Sequence, residues 1–291
     1  VAIAATGGTP GYTVSGNSVP HTFTGLAAGT YTYAVIDANA CTYTVTATVT
    51  EPPVLTASSS STSILCNGGT AVVTVSATGG TLSYTGTGTF TVSAGSYTYN
   101  VSDANGCTAS TTITVTEPSL LVAYSAGTPI LCNGGTSVVT VSATGGTGAY
   151  TGTGTFTVTA GTHSYTVSDA NGCTSVTSVT LTEPATLVAS SSATPILCNG
   201  GNSVVTVSAT GGTGAYTGTG TFTVTAGTHS YTVSDANGCT SVTSVTLTEP
   251  TLLVASSSST SILCNGGTAV VTVSATGGTL GYTGTGTFSV V

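Results

Sequence analysis

Ser137-Val138-Val139-Thr140-Val141-Ser142-Ala143, followed by Thr144-Gly145-Gly146-Thr147-Gly148, decides the fold. The first seven residues are β-branched and partly alternating, the pattern of a half-buried strand. The next five are a loop. Tyr150-Thr151 and Thr155-Phe156-Thr157-Val158-Thr159 flank Gly152-Thr153-Gly154, which reads as a tight hairpin. Ala160-Gly161 turns the chain again. In 163–168, Tyr165 and Val167 share one face. Asp169-Ala170-Asn171-Gly172 is turn chemistry, because Asp can cap the backbone and Asn and Gly tolerate positive φ. Residues 175–182 form the next strand, with Val179 and Leu181 on one face. Glu183-Pro184 closes the unit and Leu187-Val188-Ala189 opens the next. No window carries a 3.6-residue apolar period, so no helix is expected.

Outward from this stretch the chain repeats. Cys66-Asn67-Gly68-Gly69 returns at Cys132, Cys198 and Cys264, a period of 66. Asp103-Ala104-Asn105-Gly106-Cys107 returns at Asp169 and Asp235, and a looser copy, Asp37-Ala38-Asn39-Ala40-Cys41, precedes them. Glu-Pro recurs at Glu51, Glu117, Glu183 and Glu249. The 291 residues therefore read as a tandem array: 1–52, 53–118, 119–184, 185–250 and 251–291, the first and last being partial. Partial repeats at both ends suggest a window cut from a longer protein. The first repeat carries six additional residues through Tyr12-Thr13-Val14-Ser15-Gly16-Asn17.

Six or seven short strands per unit, separated by turn signals, predict an all-β chain of small immunoglobulin-like sandwiches in an elongated array. Strands of about ten residues would make each unit roughly 35 Å long. The expected core of 119–184 is Val139, Val141, Tyr150, Phe156, Val158, Tyr165, Val167, Val179, Leu181 and Leu187. So small a domain buries only about 60% of its unfolded surface, and units of this kind often add a disulfide worth ~2–4 kcal/mol.

Taken in order, Cys-Asn-Gly-Gly, Ala-Thr-Gly-Gly-Thr, Leu26-Ala27-Ala28-Gly29-Thr30-Tyr31, Asp-Ala-Asn-Gly-Cys and Glu-Pro resemble the SprB-type repeat of large Bacteroidetes cell-surface proteins, gliding adhesins among them. The resemblance spans essentially the whole chain. It implies export to the bacterial surface and a role in adhesion or surface spreading.

Composition narrows the function. The chain has no Lys and no Arg, eight acids and a formal net charge of -8. Without cations there is no phosphate clamp and no counterion release, so nucleic acid is not an expected partner. Schiff-base lysine, P-loop lysine and arginine finger are excluded, as is a Lys–Asn isopeptide staple. No apolar run reaches the length of a membrane-spanning helix.

Eight regularly spaced cysteines, Cys41, Cys66, Cys107, Cys132, Cys173, Cys198, Cys239 and Cys264, argue for an oxidising compartment and structural bridges. Two pairings are open. Within a unit, Cys66–Cys107, Cys132–Cys173 and Cys198–Cys239 lie 41 apart. Across Glu-Pro, Cys41–Cys66, Cys107–Cys132, Cys173–Cys198 and Cys239–Cys264 lie 25 apart and consume all eight. The first option strains the opposite ends of a sandwich, and the second needs a hairpin around Glu-Pro.

No catalytic, cofactor or metal site is expected. Cys-x-x-Cys is absent, and no His lies at ligand spacing from a Cys. His163 and His229 occupy a strand position that holds Tyr97 in the second repeat, so they read as strand residues with exposed rings. Asp37, Asp103, Asp169 and Asp235 read as turn caps, because calcium wants several carboxylates. The run 151–159 has the Thr-x-Thr spacing of flat ice-binding ladders, and Tyr150 and Tyr216 are the aromatics that could serve a glycan site. These features define a non-enzymatic extracellular stalk or adhesin. Its partners would be neighbouring repeats, the same protein, or surface glycans. A filament subunit, glycosylated on its Ser and Thr, is the alternative, and a glycan- or ice-binding array is the weaker one.

Overall fold

The computed structural model describes residues 1–279 and 281–291, which contain strands and turns but no helix. Two units divide the chain, Val1–Leu120 and Leu121–Val291. The first holds β1 (Ala2–Ile3), β2 (Thr13–Val14), β3 (Asn17–Ser18), β4 (His21–Thr22), β5 (Gly29–Ile36), β6 (Thr42–Val49), β7 (Thr56–Ser61), β8 (Ala71–Thr78), β9 (Gly88–Val92), β10 (Gly95–Ser102) and β11 (Thr108–Val115). The second holds β12 (Val122–Gly127), β13 (Ser137–Thr144), β14 (Gly154–Val158), β15 (Gly161–Ser168), β16 (Thr174–Leu181), β17 (Val188–Ala193), β18 (Ser203–Thr210), β19 (Gly220–Val224), β20 (Gly227–Ser234), β21 (Thr240–Leu247), β22 (Val254–Ser259), β23 (Ala269–Thr276) and β24 (Gly286–Val290).

Residues 119–184 show how one repeat is built. β13 alternates strictly, with Ser137, Val139 and Val141 buried and Val138, Thr140 and Ser142 exposed. It pairs antiparallel with β12 on one edge and with β14 on the other. The second sheet is the antiparallel pair β15–β16, to which Thr151 adds a bridge at Ser168. The chain thus passes from β13 to the second sheet at Thr151, returns to the first in β14, and crosses again into β15. This is the immunoglobulin-type Greek key, three strands against three. β12 also runs beside β16 in the same direction, tied by Ala123 N to Ser175 Oγ (3.1 Å) and Ser125 Oγ to Thr177 Oγ1 (3.0 Å).

The hairpin expected around Gly152-Thr153-Gly154 does not form, because its two flanks belong to different sheets. For the same reason the threonines of 151–159 do not form one flat rank. Thr155 and Thr157 lie on the outer face of β14, whereas Thr151 is in the opposite sheet.

The core of this repeat is Ala123, Ile130, Val139, Val141, Val167 and Leu181, with Tyr150, Phe156, Val158, Tyr165 and Val179 packed around it. Full burial of each Val contributes about 1.5–3 kcal/mol. Ile130 and Ala123 were missing from the expected set. Leu187 is buried at the start of the following repeat, against the Gly211-Gly212 turn. Separate cores recur in 53–118 and 185–250.

The first repeat differs through its additional residues. β2 and β3 form a two-residue hairpin over Ser15 and Gly16, both at positive φ, and β2 pairs with β5. That geometry is a primed turn, in which Gly carries one of the two positive φ values at no steric cost. Here Ile3, Val14, Tyr33 and Val35 are the core.

Candidate functional site: the repeat junction

Sequence-predicted residues converge at both ends of each sandwich. Asp169 caps the turn between β15 and β16. Its Oδ1 accepts from the N–H of Asn171 and of Cys173, each at 2.9 Å. Its Oδ2 accepts from Thr147 N at 2.8 Å, across the end of the sandwich. Asp37, Asp103 and Asp235 repeat the arrangement. Gly146 has φ +63, and a Cβ there would lie 2.6 Å from Asp169 Oδ2, so the carboxylate and the Gly-Gly turn require each other.

These bonds set the charge. At Asp103 and Asp37 the backbone N–H of Thr81 and of Thr9 is the largest influence, and the carboxyl pKa is lowered from 3.8. At Asp169 and Asp235 burial is the largest single influence and works upward. The N–H donors led by Thr147 and Thr213 together outweigh it, and the net direction is again down. A folded pKa below the unfolded one gives stability that is complete above the unfolded value and lost as pH falls through the folded one. Melting temperature is therefore expected to hold from pH 7 to 5 and to fall below about pH 4. Replacing all four Asp by Asn should flatten that acid fall; an unchanged acid slope in circular-dichroism melts would refute the assignment.

At the opposite end, Glu183 clasps the Cys-Asn-Gly-Gly loop of its own repeat. Gly134 N donates to Glu183 Oε2 at 2.6 Å, and Asn133 Nδ2 donates to Glu183 Oε1 and to Pro184 O, each at 3.1 Å. Glu249 holds Gly200 and Asn199, and Glu117 holds Gly68, in the same way. The sequence marks these glutamates only as the recurring Glu-Pro that closes each unit. Their signal was the constant spacing between the loop and Glu-Pro in every complete repeat.

The junction between 119–184 and 185–250 joins the two ends. Cys132 is bonded to Cys239, 107 residues away, with Cα atoms 5.7 Å apart. Asn237 Nδ2 donates to Leu131 O at 3.1 Å, and Thr186 Oγ1 to Asn133 Oδ1 at 2.8 Å. Neither expected spacing, 41 or 25, describes this bond. The reason is directional. β12 runs parallel to β16, so each repeat begins at the end that carries its Asp-Ala-Asn-Gly-Cys turn and finishes at the end that carries its Cys-Asn-Gly-Gly loop. The Cys-Asn-Gly-Gly loop of 119–184 therefore meets the Asp-Ala-Asn-Gly-Cys turn of 185–250. Glu183-Pro184 is a straight passage rather than a hairpin. Cys66 and Cys173 are also disulfide-bonded. Cys41, Cys107, Cys198 and Cys264 are exposed thiols.

The remaining candidates are absorbed by the fold. His163 is half-buried rather than exposed, and its Nε2 is 2.9 Å from Thr159 O. His229 does the same with Thr225 O, and Tyr97 OH donates to Ser93 O at the equivalent place. Tyr150 and Tyr216 pack on their cores and donate to Gly145 O and Gly211 O. No cluster of three or more His, Cys, Asp or Glu able to hold a metal ion occurs among the described residues. No helix among them is long and apolar enough to cross a membrane.

No protein-family model matches the chain, and no curated protein matches it. Among solved structures it is similar to the N-terminal eight Ig domains of Down Syndrome Cell Adhesion Molecule, at 15% identity and a TM-score of 0.26. That match covers 87% of this chain and 43% of the other, so the chain spans less than half the length of that neighbour. The fold assignment rests on the strand order described above.

Proposed function

We propose that the chain is a non-enzymatic extracellular repeat protein, the stalk or adhesin of a bacterial surface, of the SprB type that its motifs resemble. The observation that carries this reading is the bond between Cys132 and Cys239, which staples one sandwich to the next. Such a bond persists in an oxidising compartment, and a staple at a junction resists the independent swinging of tandem domains. The polar residues that repeat most faithfully are spent on turns and junctions, which suits a mechanical role.

A second reading, a laterally assembled filament, is favoured by one feature. Val72, Val138, Val204 and Val270 are exposed at equivalent positions on the outer sheet face, among Thr and Ser. Exposed apolar positions repeated on an almost uncharged surface are a basis for side-by-side packing. Electron microscopy of the native material separates the two. A beaded thread one sandwich wide is expected, and a regular fibre with several chains in cross-section would replace the stalk by the filament.

A further inference from the structure

A strand that crosses a sandwich once has almost no slack. It rises about 3.3 Å per residue, and a chain pulled straight reaches only about 3.3–3.6 Å per residue. In 119–184 the first strand, β12, leads from the turn end through Thr128-Pro129-Ile130-Leu131 to Cys132 at the loop end. In 185–250 the last strand, β21, starts at Thr240, directly after Cys239, and leads to the loop end of that repeat. The bond between Cys132 and Cys239 sets these two strands in line. Residues 133–238 are then a side loop on that line, although they hold most of both sandwiches.

We propose that this line is a load path: tension along the chain runs through β12, the Cys132–Cys239 bond and β21, and bypasses the rest of the two sandwiches. The proposal rests on the stalk reading, since a stalk is pulled along its length, and it states how the stalk bears that pull without unfolding.

Contacts within the complete repeats fix the line in place. β12 is paired with β13 along its whole length, and β21 with β20. β21 lies beside β17 as β12 lies beside β16, with Ala189 N 3.0 Å from Ser241 Oγ and Ser191 Oγ 3.0 Å from Thr243 Oγ1. At the crossing, Gly135 N donates to Cys132 O at 3.0 Å, and Cys239 N donates to Asp235 Oδ1 at 2.9 Å. Each cysteine is thus held by its own repeat. The chain also crosses this junction at Glu183-Pro184. To reach that crossing from β12, load must pass to β16 through side-chain hydrogen bonds, which exchange with water and yield first.

The lengths make the difference measurable. Between Leu120 and Thr251 the stapled route is twelve residues to Cys132 and twelve from Cys239. Pulled straight it measures about 90 Å, against roughly 70 Å for two sandwiches of the expected length. Without the bond the route gains 107 residues, and the chain can lengthen by about another 370 Å.

The test is single-molecule force spectroscopy on the full chain. Azide-bearing residues at the exposed Leu120 and Thr251 serve as handles, and free thiols are alkylated. The comparison is the Cys132→Ser, Cys239→Ser double variant. At the force that unfolds the variant with a gain of about 370 Å, the unaltered chain should lengthen by less than about 30 Å. If the variant does not fold, the unaltered chain answers alone. Held at constant force, it should stay short until dithiothreitol is added and then lengthen by about 370 Å. In that exchange a dithiothreitol thiolate attacks one sulfur, the other sulfur leaves as a thiolate, and the reagent's second thiol closes its ring and frees the first. An unaltered chain that gains the full length without reductant overturns the proposal. So does a reduced or variant chain that keeps its native length until the handles rupture, because the sandwiches themselves would then bear the load. A short, reductant-sensitive trace from a protein that microscopy shows as a multi-chain fibre supports the load path and removes the stalk reading alone.

Discussion

Replacing Cys132 and Cys239 together by serine is expected to destabilise the sandwiches they join by about 4 kcal/mol. The staple closes a chain segment of 107 residues, and the entropy removed from the unfolded state grows with that length. For sandwiches of this size the change corresponds to a fall in melting temperature of roughly 15 °C or more. The effect should also alter cooperativity. Tandem repeats unfold as units coupled through their interfaces, and here the interface is covalent. The oxidised chain should lose 119–184 and 185–250 in one transition, and the double variant should lose them in two. Both variants are needed together, because a single serine would leave an exposed thiol free to exchange. Calorimetry on the two proteins decides the matter: a loss below about 1 kcal/mol with one unchanged transition would mean that Asn237, Leu131, Thr186 and Asn133 hold the junction without the sulfurs.

The staple also shows where sequence reading stops. Alternation in 137–144, 161–168 and 174–181 identified three strands almost to the residue, because burial of one face imposes a period of two. The turn at Asp169 was equally visible, since its chemistry is local. What stayed hidden was everything set by direction between elements. Spacing alone offered 41 or 25 for the cysteines. Only the parallel course of β12 beside β16 reveals that 119–184 runs from its turn end to its loop end, so that its loop meets the turn of 185–250. Ile130 was missed as core because it stands in a loop of turn-forming residues, where no period marks it. The reach of Asp169 Oδ2 to Thr147 spans 22 residues and leaves no local trace.

Gly152 carries the second large effect. Its run of Gly and Thr looked like a hairpin tip, yet the chain crosses there from one sheet to the other. The crossing passes directly over β15: a Cβ at Gly152 would lie 2.2 Å from Thr166 O and 3.4 Å from Val167 Cα, and its φ is +81. Both neighbours are backbone of a strand held along its length by β16, so neither can yield. Gly152→Ala combines left-handed strain with a contact no real Cβ makes, and should cost about 3 kcal/mol or more. Gly86 and Gly218 meet Asn100 O and Thr232 O at the same distance, so their alanine variants should behave alike. Gly134→Ala is the control, since Gly134 has φ +72 and open space around its Cβ. It pays the backbone strain alone, about 1 kcal/mol. Urea titrations of the four variants should rank Gly134→Ala mildest by a wide margin. Equal losses would mean that the crossing relaxes away from β15, and the Greek key would then be held by its strands rather than pinned at this passage.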